Sequence, residues 1–214
     1  MMKQLRHDFG LIGFPLEHSW SARWFHDVFK KEEWSKASYR LFPMPDLNGF
    51  HDLIFGETFL RGLNVTIPYK EKIIPLLDEL DEQAQKVGAV NLICISRDNN
   101  RFFTKGYNTD ITGFEKSLAL SGIDSPGRAL VLGTGGASRA VCHVLSRLGW
   151  DFLQVSRNPG RQGVISYADI NASALSLFPV IINTTPVGMY PNSNECPAIP
   201  YHELTPQNTL YDLI

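Results

Sequence analysis

A glycine-rich turn is the pattern with the clearest chemical meaning in this sequence. Gly133, Gly135 and Gly136 follow an apolar run directly, and Ala137 and Ser138 continue into a segment with helical spacing. Without side chains, backbone N–H groups at a helix start can approach a pyrophosphate, and the positive helix end stabilises its charge. A tight packing turn would need the same glycines, and a serine takes the third small position of GxGxxG. The flanking strand–helix–strand pattern nevertheless predicts a dinucleotide-binding site.

Two arginines indicate which dinucleotide would bind. NAD-binding folds usually carry an acid at the end of the second strand, where it accepts from the ribose 2′-hydroxyl. Here that strand ends in Ser156, Arg157 and Asn158, and Arg161 follows. Guanidinium groups offer planar, permanently charged recognition of a phosphate. The sequence therefore favours NADP, although two solvated surface arginines would look the same.

A second group of polar residues lies in the first half of the chain. Asn64 and Thr66 share one face of a predicted strand by period-2 alternation, and Lys70 follows the end of that strand. Ligands bind at the carboxyl ends of strands in open α/β sheets. A lysine at the start of a predicted helix, whose positive end disfavours its charge, could transfer a proton, but it could equally be an exposed first-turn residue. Asp110 stands at another helix start, as a charged site residue or a plain cap.

Ser19 and Ser21 precede an amphipathic segment. Their hydroxyls and the nearby backbone N–H groups could bind a carboxylate, or one of the serines could be only the N-cap of the helix. The helix is predicted to run to about Phe29. Its apolar stripe consists of Trp20, Trp24, Phe25, Val28 and Phe29.

The elements that must position these residues alternate along the chain. Strands are predicted at 9–13, 38–42, 62–67, 89–95, 102–106, 128–133, 152–156, 180–183 and 209–213, with a hairpin turn at 97–100. Further helices are predicted at 46–53 with Asp46 as the cap, 72–80, 81–87, 109–121 and 137–148. This alternation predicts an α/β fold with parallel pairing. A breaker cluster at 122–127 places a domain boundary near the helix before it, which gives domains 1–110 and 111–214.

The amino-acid composition limits the classes of partner that the chain is expected to bind. The chain has 214 residues, 20 Lys+Arg against 22 Asp+Glu, and 43% hydrophobic residues. Such a balance provides no field for nucleic acid or an anionic membrane, so small molecules are the expected partners. Cys94, Cys142 and Cys196 lack CxxC spacing, which argues against a disulfide framework and a zinc site, and no metal is expected. The absence of an apolar signal region or of about 20 consecutive apolar residues makes the cytoplasm the expected location.

Taken in order, the motifs resemble the shikimate dehydrogenase family, whose members use NADPH to reduce 3-dehydroshikimate to shikimate in aromatic amino-acid (chorismate) biosynthesis. The matching motifs are HSWS at 18–21, NVTIPYK at 64–70, GAVN at 88–91, GYNTD at 106–110, GTGGAS at 133–138, SRN at 156–158 and NTTPVGM at 183–189. The resemblance implies an N-terminal α/β substrate-binding domain and a Rossmann-like NADP-binding domain, with the substrate in the cleft between them. It is compatible with a monomer or a homodimer.

The resemblance also implies roles for particular residues. Ser19 and Ser21 would hold the substrate carboxylate, and Lys70 and Asp110 would form the catalytic dyad. The residues implied to bind ring hydroxyls are Asn64, Thr66, Asn91 and Asp110. Thr184, Thr185 and Met189 would line the nicotinamide side. The residues implied to hold the rest of NADP are Gly133, Gly135, Gly136, Ala137, Ser138, Ser156, Arg157, Asn158 and Arg161.

Three features depart from the family pattern. SRN stands at 156–158 where Asn-Arg-Thr is frequent, and Thr-Thr-Pro stands at 184–186 where Ala-Thr-Ser is common. The family also continues beyond the strand at 209–213 with a tyrosine and with C-terminal helices that carry a glutamine near the substrate, and these are expected to be missing here. An NAD-using quinate/shikimate dehydrogenase and a truncated, non-catalytic chain that binds NADP or shikimate therefore stay open as alternatives.

Overall fold

The computed structural model describes residues 5–98, 101–123 and 126–213 and divides the chain after Thr109 into two compact units. Each unit has its own sheet with helices, so the predicted α/β class is confirmed. Parts of the predicted hairpin turn at 97–100 and of the breaker cluster at 122–127 lie outside the described residues, as does residue 214.

The first unit contains a six-stranded sheet in the order β2-β1-β3-β5-β6-β4. Its strands are β1 (His7–Gly13), β2 (Ala37–Pro43), β3 (Leu60–Val65), β4 (Glu79–Leu80), β5 (Leu92–Asp98) and β6 (Arg101–Tyr107). Its helices are α1 (Ser21–Lys31), α2 (Phe50–Gly56) and α3 (Glu82–Val87). β1 pairs in parallel with β2 and β3, whereas β5 is antiparallel to both β3 and β6. The antiparallel pairing of β5 with β6 confirms the predicted hairpin, because so short a connection leaves no room for a crossover. Within the described residues, the prediction of parallel pairing is wrong only between β3 and β5.

The second unit contains a five-stranded parallel sheet in the order β11-β10-β7-β8-β9. Its strands are β7 (Arg128–Leu132), β8 (Asp151–Val155), β9 (Val164–Ile165), β10 (Val180–Asn183) and β11 (Thr209–Asp212). Its helices are α4 (Asp110–Leu120), α5 (Gly136–Arg147) and α6 (Ala172–Leu177). Four of the five residues of β7 are buried, as a central parallel strand requires. β9 and α6 had no counterpart among the predicted elements.

The start of α1 differs from the prediction. Its N-cap is Trp20, which makes no side-chain capping bond, so neither serine caps the helix. Instead the Ser19 hydroxyl oxygen accepts the Ser21 N–H at 3.3 Å, which holds the turn just before the helix. Of the predicted apolar stripe, Trp20 and Trp24 are 74% and 59% exposed. Phe25 packs inward, with its ring stacked on Tyr39.

The helix predicted at 46–53 begins later than expected, and the one predicted at 72–80 is wrong. Asp46 does not cap a helix, because its carboxylate accepts the Asn48 N–H in a turn and α2 begins only at Phe50. Most of 72–80 is not helical, since only a short 3₁₀ turn forms at Ile74–Leu76 before β4. The reason is tertiary: the Asp78 carboxylate accepts the N–H and hydroxyl of Thr104 on β6, which draws this segment into the sheet. Lys70 accordingly lies in a turn rather than at a helix start.

A buried carboxylate connects the strands on one side of the first sheet. The Asp8 side chain on β1 is 2% exposed and accepts hydrogen bonds from Arg6 and from the Ser38 hydroxyl, both at 2.8 Å. The Arg40 guanidinium on β2 lies 3.9 Å from the Asp8 carboxylate. It donates a hydrogen bond at 3.0 Å to the carboxylate of Glu57, just after α2. Burial acts to raise the pKa of Asp8, but these hydrogen bonds and the charges of Arg6 and Arg40 outweigh it, so the pKa is lowered.

This lowered pKa predicts a pH-dependent stability. A carboxyl group whose pKa is depressed by folding stabilises the folded chain above its unfolded value of about 4, and that contribution is lost as the pH falls through the folded value. We expect Asp8→Asn to be destabilised at neutral pH by urea unfolding, with the difference from wild type narrowing below about pH 4. Asp27→Asn, at an exposed position of α1, is the matched control. A difference for Asp8→Asn that stays constant with pH would contradict this account.

Candidate functional site

The order of strands in the second unit reverses at β7. β8 and β9 lie on one side of it and β10 and β11 on the other, which creates a topological switch point, the usual place for a ligand in a parallel sheet. The glycine turn follows β7, and Thr184 follows β10. The Thr184 N–H and hydroxyl both donate to the Leu132 carbonyl, at 3.0 and 2.6 Å. The two loops are thereby joined at the carboxyl ends of the strands.

Glycine is present at positions 133 and 135 of this turn for different structural reasons. Gly133 has φ +110°, and an added Cβ would lie 2.8 Å from the Thr184 hydroxyl oxygen, so packing and backbone conformation both require glycine. Gly135 has extended backbone, and an added Cβ would meet nothing within 4 Å. No side chain caps α5, which starts at Gly136. The open space at Gly135 and the uncapped helix end fit a pyrophosphate.

Two alanine substitutions distinguish the structural role of Gly133 from the proposed binding role of Gly135. Gly133→Ala is expected to cost about 1–3 kcal/mol of unfolding free energy, because its Cβ is strained and crowded. Gly135→Ala is expected to cost less than about 1 kcal/mol, yet to weaken NADP binding at least about tenfold by filling the open space. Thermal unfolding and calorimetric titration with NADP check the pair, each variant serving as the control for the other. Equal destabilisation by the two substitutions would contradict the distinction.

Ser138 supports the turn from inside the fold. Its side chain is fully buried, and its hydroxyl donates to the Gly133 carbonyl at 2.8 Å. The Gln154 side-chain amide on β8 donates to the Ser138 oxygen, also at 2.8 Å. Ser138 therefore shapes the loop, and its predicted role in cofactor binding is supported only in this indirect form. Sequence reasoning missed Gln154, although a polar residue in an otherwise apolar strand was a usable signal.

A pocket of about 290 Å³ lies beside the glycine turn, where the 2′-phosphate of NADP is expected. Its lining residues are Thr134, Ser156, Asn158, Gly160, Arg161 and Val164. Three predicted cofactor residues, Ser156, Asn158 and Arg161, are thus brought together. Arg157 is exposed beside them, and its charge opposes the rise in pKa that burial gives Tyr167. A pocket with one arginine in its wall and another beside it fits a phosphorylated ribose.

The segment after β10 is held by Asn183, which is 6% exposed. Its side-chain oxygen accepts the N–H and the hydroxyl of Thr185 at 3.0 and 2.7 Å. The hydroxyls of Thr184 and Thr185 are therefore engaged within the protein, while Met189 is 44% exposed. Of the three residues predicted to line the nicotinamide, the two threonines shape the loop and Met189 offers an exposed side chain.

In the first unit, Tyr39 connects two of the predicted substrate-binding residues. Its hydroxyl donates to the Asn64 side-chain oxygen at 2.8 Å, and a hydrogen bond also joins it to the Ser21 hydroxyl. Burial raises the pKa of Tyr39 to about 12, against a smaller lowering by Ser21. The Asn64 amide nitrogen in turn donates to the Asn91 carbonyl at 3.4 Å. Sequence reasoning missed Tyr39, because an aromatic residue on a predicted strand indicates core packing.

Asn91 is engaged with the end of the first unit. Its side-chain oxygen accepts the Thr109 N–H at 2.8 Å, and its amide nitrogen donates to the Thr109 hydroxyl at 2.9 Å. It is 9% exposed, and its carbonyl also accepts the Val65 N–H at 2.9 Å. Asn91 thus positions the residue that precedes Asp110 in the sequence. Its predicted contact with a substrate hydroxyl stays a prediction.

Lys70 lies in a loop with a fixed backbone. The Tyr69 hydroxyl donates to the Met44 carbonyl at 2.5 Å, and the Lys70 carbonyl accepts the Val90 N–H at 2.7 Å, next to Asn91. The lysine side chain is half-buried. Thr66 follows β3 directly rather than lying within it, and its N–H donates to a carbonyl of β1. The loop places Lys70 and Thr66 near the carboxyl ends of β1 and β3, whereas Asp110 opens α4 in the second unit.

The described residues contain no helix long and apolar enough to cross a membrane. Within the same residues, no group of three or more His, Cys, Asp or Glu side chains could hold a metal ion. The three cysteines are free, with Cys94 and Cys196 exposed and Cys142 partly buried.

The parallel order of the second unit, with a glycine turn at its switch point and an arginine-lined pocket beside it, defines a Rossmann-type dinucleotide-binding domain attached to a second α/β unit. Residues 11–93 match the family described as the shikimate dehydrogenase substrate binding domain. The shikimate dehydrogenase (NADP(+)) of Carboxydothermus hydrogenoformans is 36% identical, with 96% of this chain and 77% of that protein covered. The chain belongs to the shikimate dehydrogenase family.

Solved structures agree with this assignment. Shikimate dehydrogenase 1 from Peptoclostridium difficile superposes with a TM-score of 0.83 at 33% identity, covering 97% of this chain and 77% of that one. Shikimate 5-dehydrogenase from Thermus thermophilus, solved in complex with NADP(H) and shikimate, has a TM-score of 0.80 at 28% identity, with 97% and 78% covered. The similarity therefore extends over both units.

Proposed function

We propose that the chain catalyses the NADPH-dependent reduction of 3-dehydroshikimate to shikimate, in the pathway that leads to chorismate and the aromatic amino acids. The observation that carries this proposal is agreement along the chain, since relatives named shikimate dehydrogenase (NADP(+)) match up to 96% of it. The polar cluster around Asn64 and the pocket at Arg161 provide matching chemistry in the two units. We place the protein in the cytoplasm as a monomer or homodimer acting on small molecules.

The residues proposed to bind the cofactor lie in the second unit. Gly135 and the first turn of α5 receive the pyrophosphate, and Arg157 and Arg161 bind the 2′-phosphate. NADPH, once bound, supplies the hydride for the ketone carbon. Because guanidinium groups stand where NAD-binding folds usually place an acid, NADP is favoured over NAD, and the quinate/shikimate alternative that uses NAD is the weaker one.

The residues proposed to bind the substrate carboxylate and ring hydroxyls here lie in the first unit. Ser19 and Ser21 bind the carboxylate, while Asn64, Thr66 and Asn91 bind ring hydroxyls. A polar site of this kind rejects analogues that lack a hydroxyl, because its own groups would be left unpaired. Selectivity for a polyhydroxylated ring then follows from residues whose orientation is fixed by hydrogen bonds, as for Asn64 through Tyr39.

Lys70 and Asp110 carry the proton chemistry. As the hydride adds to the ketone carbon, negative charge develops on the oxygen, and Lys70 stabilises that charge and donates the proton that completes the alcohol. Asp110 orients the ammonium group and accepts from a substrate hydroxyl. The half-buried side chain of Lys70 on a fixed loop suits this role, because positioning a donor ahead of the reaction avoids reorganisation.

The test is consumption of NADPH on addition of 3-dehydroshikimate, followed by absorbance. NADH replaces NADPH in one parallel assay, and in another quinate is oxidised with NAD as the hydride acceptor. We expect turnover with NADPH and 3-dehydroshikimate far above the other combinations. Efficient turnover of quinate with NAD would instead support the second dehydrogenase activity. Binding of NADP or shikimate by calorimetry without any turnover would identify a non-catalytic binding chain.

A further inference from the structure

Tyr39 lies between two residues of the proposed substrate site, yet no motif of the sequence includes it. It belongs to β2, where it is paired with Phe9 of β1. Its hydroxyl donates to the Asn64 side-chain oxygen at 2.8 Å and is hydrogen-bonded to Ser21. A single phenol therefore contacts the residue proposed to bind a ring hydroxyl and one proposed to bind the carboxylate.

The contact with Asn64 determines what that side chain can offer a ligand. The two ends of an amide have nearly the same shape but opposite hydrogen-bonding character. Because the Tyr39 proton is donated to the oxygen end, the nitrogen end is directed toward the Asn91 carbonyl, 3.4 Å away. Nδ2 carries two protons, and that carbonyl takes one. Within the described part of the chain, the other has no protein acceptor.

Tyr39 is itself held in place. The Phe25 ring of α1 stacks on it with ring centroids 4.3 Å apart and planes 9° from parallel. Its hydroxyl keeps its proton throughout the neutral range, because burial raises the pKa of Tyr39 to about 12. The phenol is thus a permanent donor in one orientation.

We propose that Tyr39 is a positioning and specificity residue, whose hydroxyl orients the Asn64 amide so that its N–H donates to a ring hydroxyl of the substrate. This inference rests on the proposed function. Without the phenol, the amide can rotate and present its oxygen, which lowers the affinity for a ligand oxygen that must accept. Tyr39 itself needs no contact with the reacting atoms.

The test is Tyr39→Phe, which keeps the stacked ring and removes only the hydroxyl. We expect the KM for 3-dehydroshikimate and the Kd for shikimate to rise about five- to tenfold. The kcat should change less than about threefold, and the Kd for NADPH should not change, because the hydride and proton donors are untouched. Tyr201→Phe, in the second unit, is the matched control and should leave all four quantities unchanged.

A double-mutant cycle separates positioning from a general structural role. In the background of Asn64→Ala, Tyr39→Phe should raise KM by less than about twofold, the part that acts through Ser21, since the main effect acts through the Asn64 amide. Asn64→Asp provides a second route, because a carboxylate still accepts from Tyr39 but cannot donate to a substrate oxygen, and KM should rise at least as much as in Tyr39→Phe. An additive effect of Tyr39→Phe in the Asn64→Ala background, or an unchanged KM and Kd, would overturn the inference.

Calorimetry tests the role of Tyr39 separately from the proposed catalytic function. Shikimate binding needs no turnover, so a wild-type chain that binds shikimate without reducing 3-dehydroshikimate would contradict the catalytic proposal alone. In that case a weakened shikimate Kd in Tyr39→Phe still supports the positioning role, and an unchanged Kd overturns it. A wild-type chain that does not bind shikimate would overturn both.

Discussion

Replacing Lys70 with Ala is expected to lower kcat about a thousand-fold while leaving the Kd of NADPH unchanged. Its ammonium group is proposed to act only as charge develops on the substrate oxygen, so its loss raises the barrier rather than weakening cofactor binding. The loop itself should survive, because it is held by the Tyr69 hydroxyl on the Met44 carbonyl and by the Val90 N–H on the Lys70 carbonyl. Steady-state kinetics and calorimetry measure the two quantities.

Lys72→Ala is the matched control for this experiment. Lys72 is exposed and lies two positions further along the same loop, so it reports any general effect of removing a positive charge there. Its kcat should stay within about twofold of wild type. Retention of most activity in Lys70→Ala, or an equal loss in both variants, would remove Lys70 from the catalytic dyad.

Replacing Arg157 and Arg161 together with Ala is expected to raise the KM for NADPH about a hundred-fold, with little change in the KM for NADH. A hydrogen bond to a charged group contributes about 1.5–3 kcal/mol, and two guanidinium groups are proposed to bind the 2′-phosphate that NADH lacks. Arg161 lines the pocket beside the glycine turn, and Arg157 is exposed next to it. The ratio of the two KM values is the measurement, since it cancels any general loss of activity.

Arg128→Ala controls for the change in charge. Arg128 begins β7 and faces Asp151 at 3.5 Å, at the opposite end of the strand from the glycine turn. The ratio of KM values for NADPH and NADH should be unchanged in this variant. An unaltered ratio in the double variant would assign the recognition of the phosphate to other groups and reopen NAD as the cofactor.

Local patterns predicted the second unit well. The apolar strand β7, the glycines after it and the helical spacing of α5 are neighbours in sequence, so their physical preferences act over a few residues. The glycine at 133 is required by its positive φ, and the arginines at 157 and 161 were recognisable from the missing acid. These features need no knowledge of the remaining chain.

The errors in the first unit have a common cause. The predicted helix at 72–80 gave way to β4 because Asp78 bonds Thr104, which is 26 residues away in sequence. The predicted parallel pairing failed between β3 and β5, and Asp46 formed a turn instead of capping a helix. In each case a hydrogen bond or strand partner outweighed a local preference of a few tenths of a kcal/mol up to about 1 kcal/mol.

The amino-acid sequence by itself determined the α/β class, the dinucleotide turn and most candidate site residues, because periodicity, glycine positions and charge are local properties of the chain. Only the tertiary structure decided which groups hold those residues in place. Tyr39 of β2 reaches Asn64 of β3 across 25 positions and past the intervening strand β1, and Gln154 of β8 reaches Ser138 of α5 across 16 positions. The direction of a hydrogen bond depends on where folding places the partner, and no local pattern carries that information.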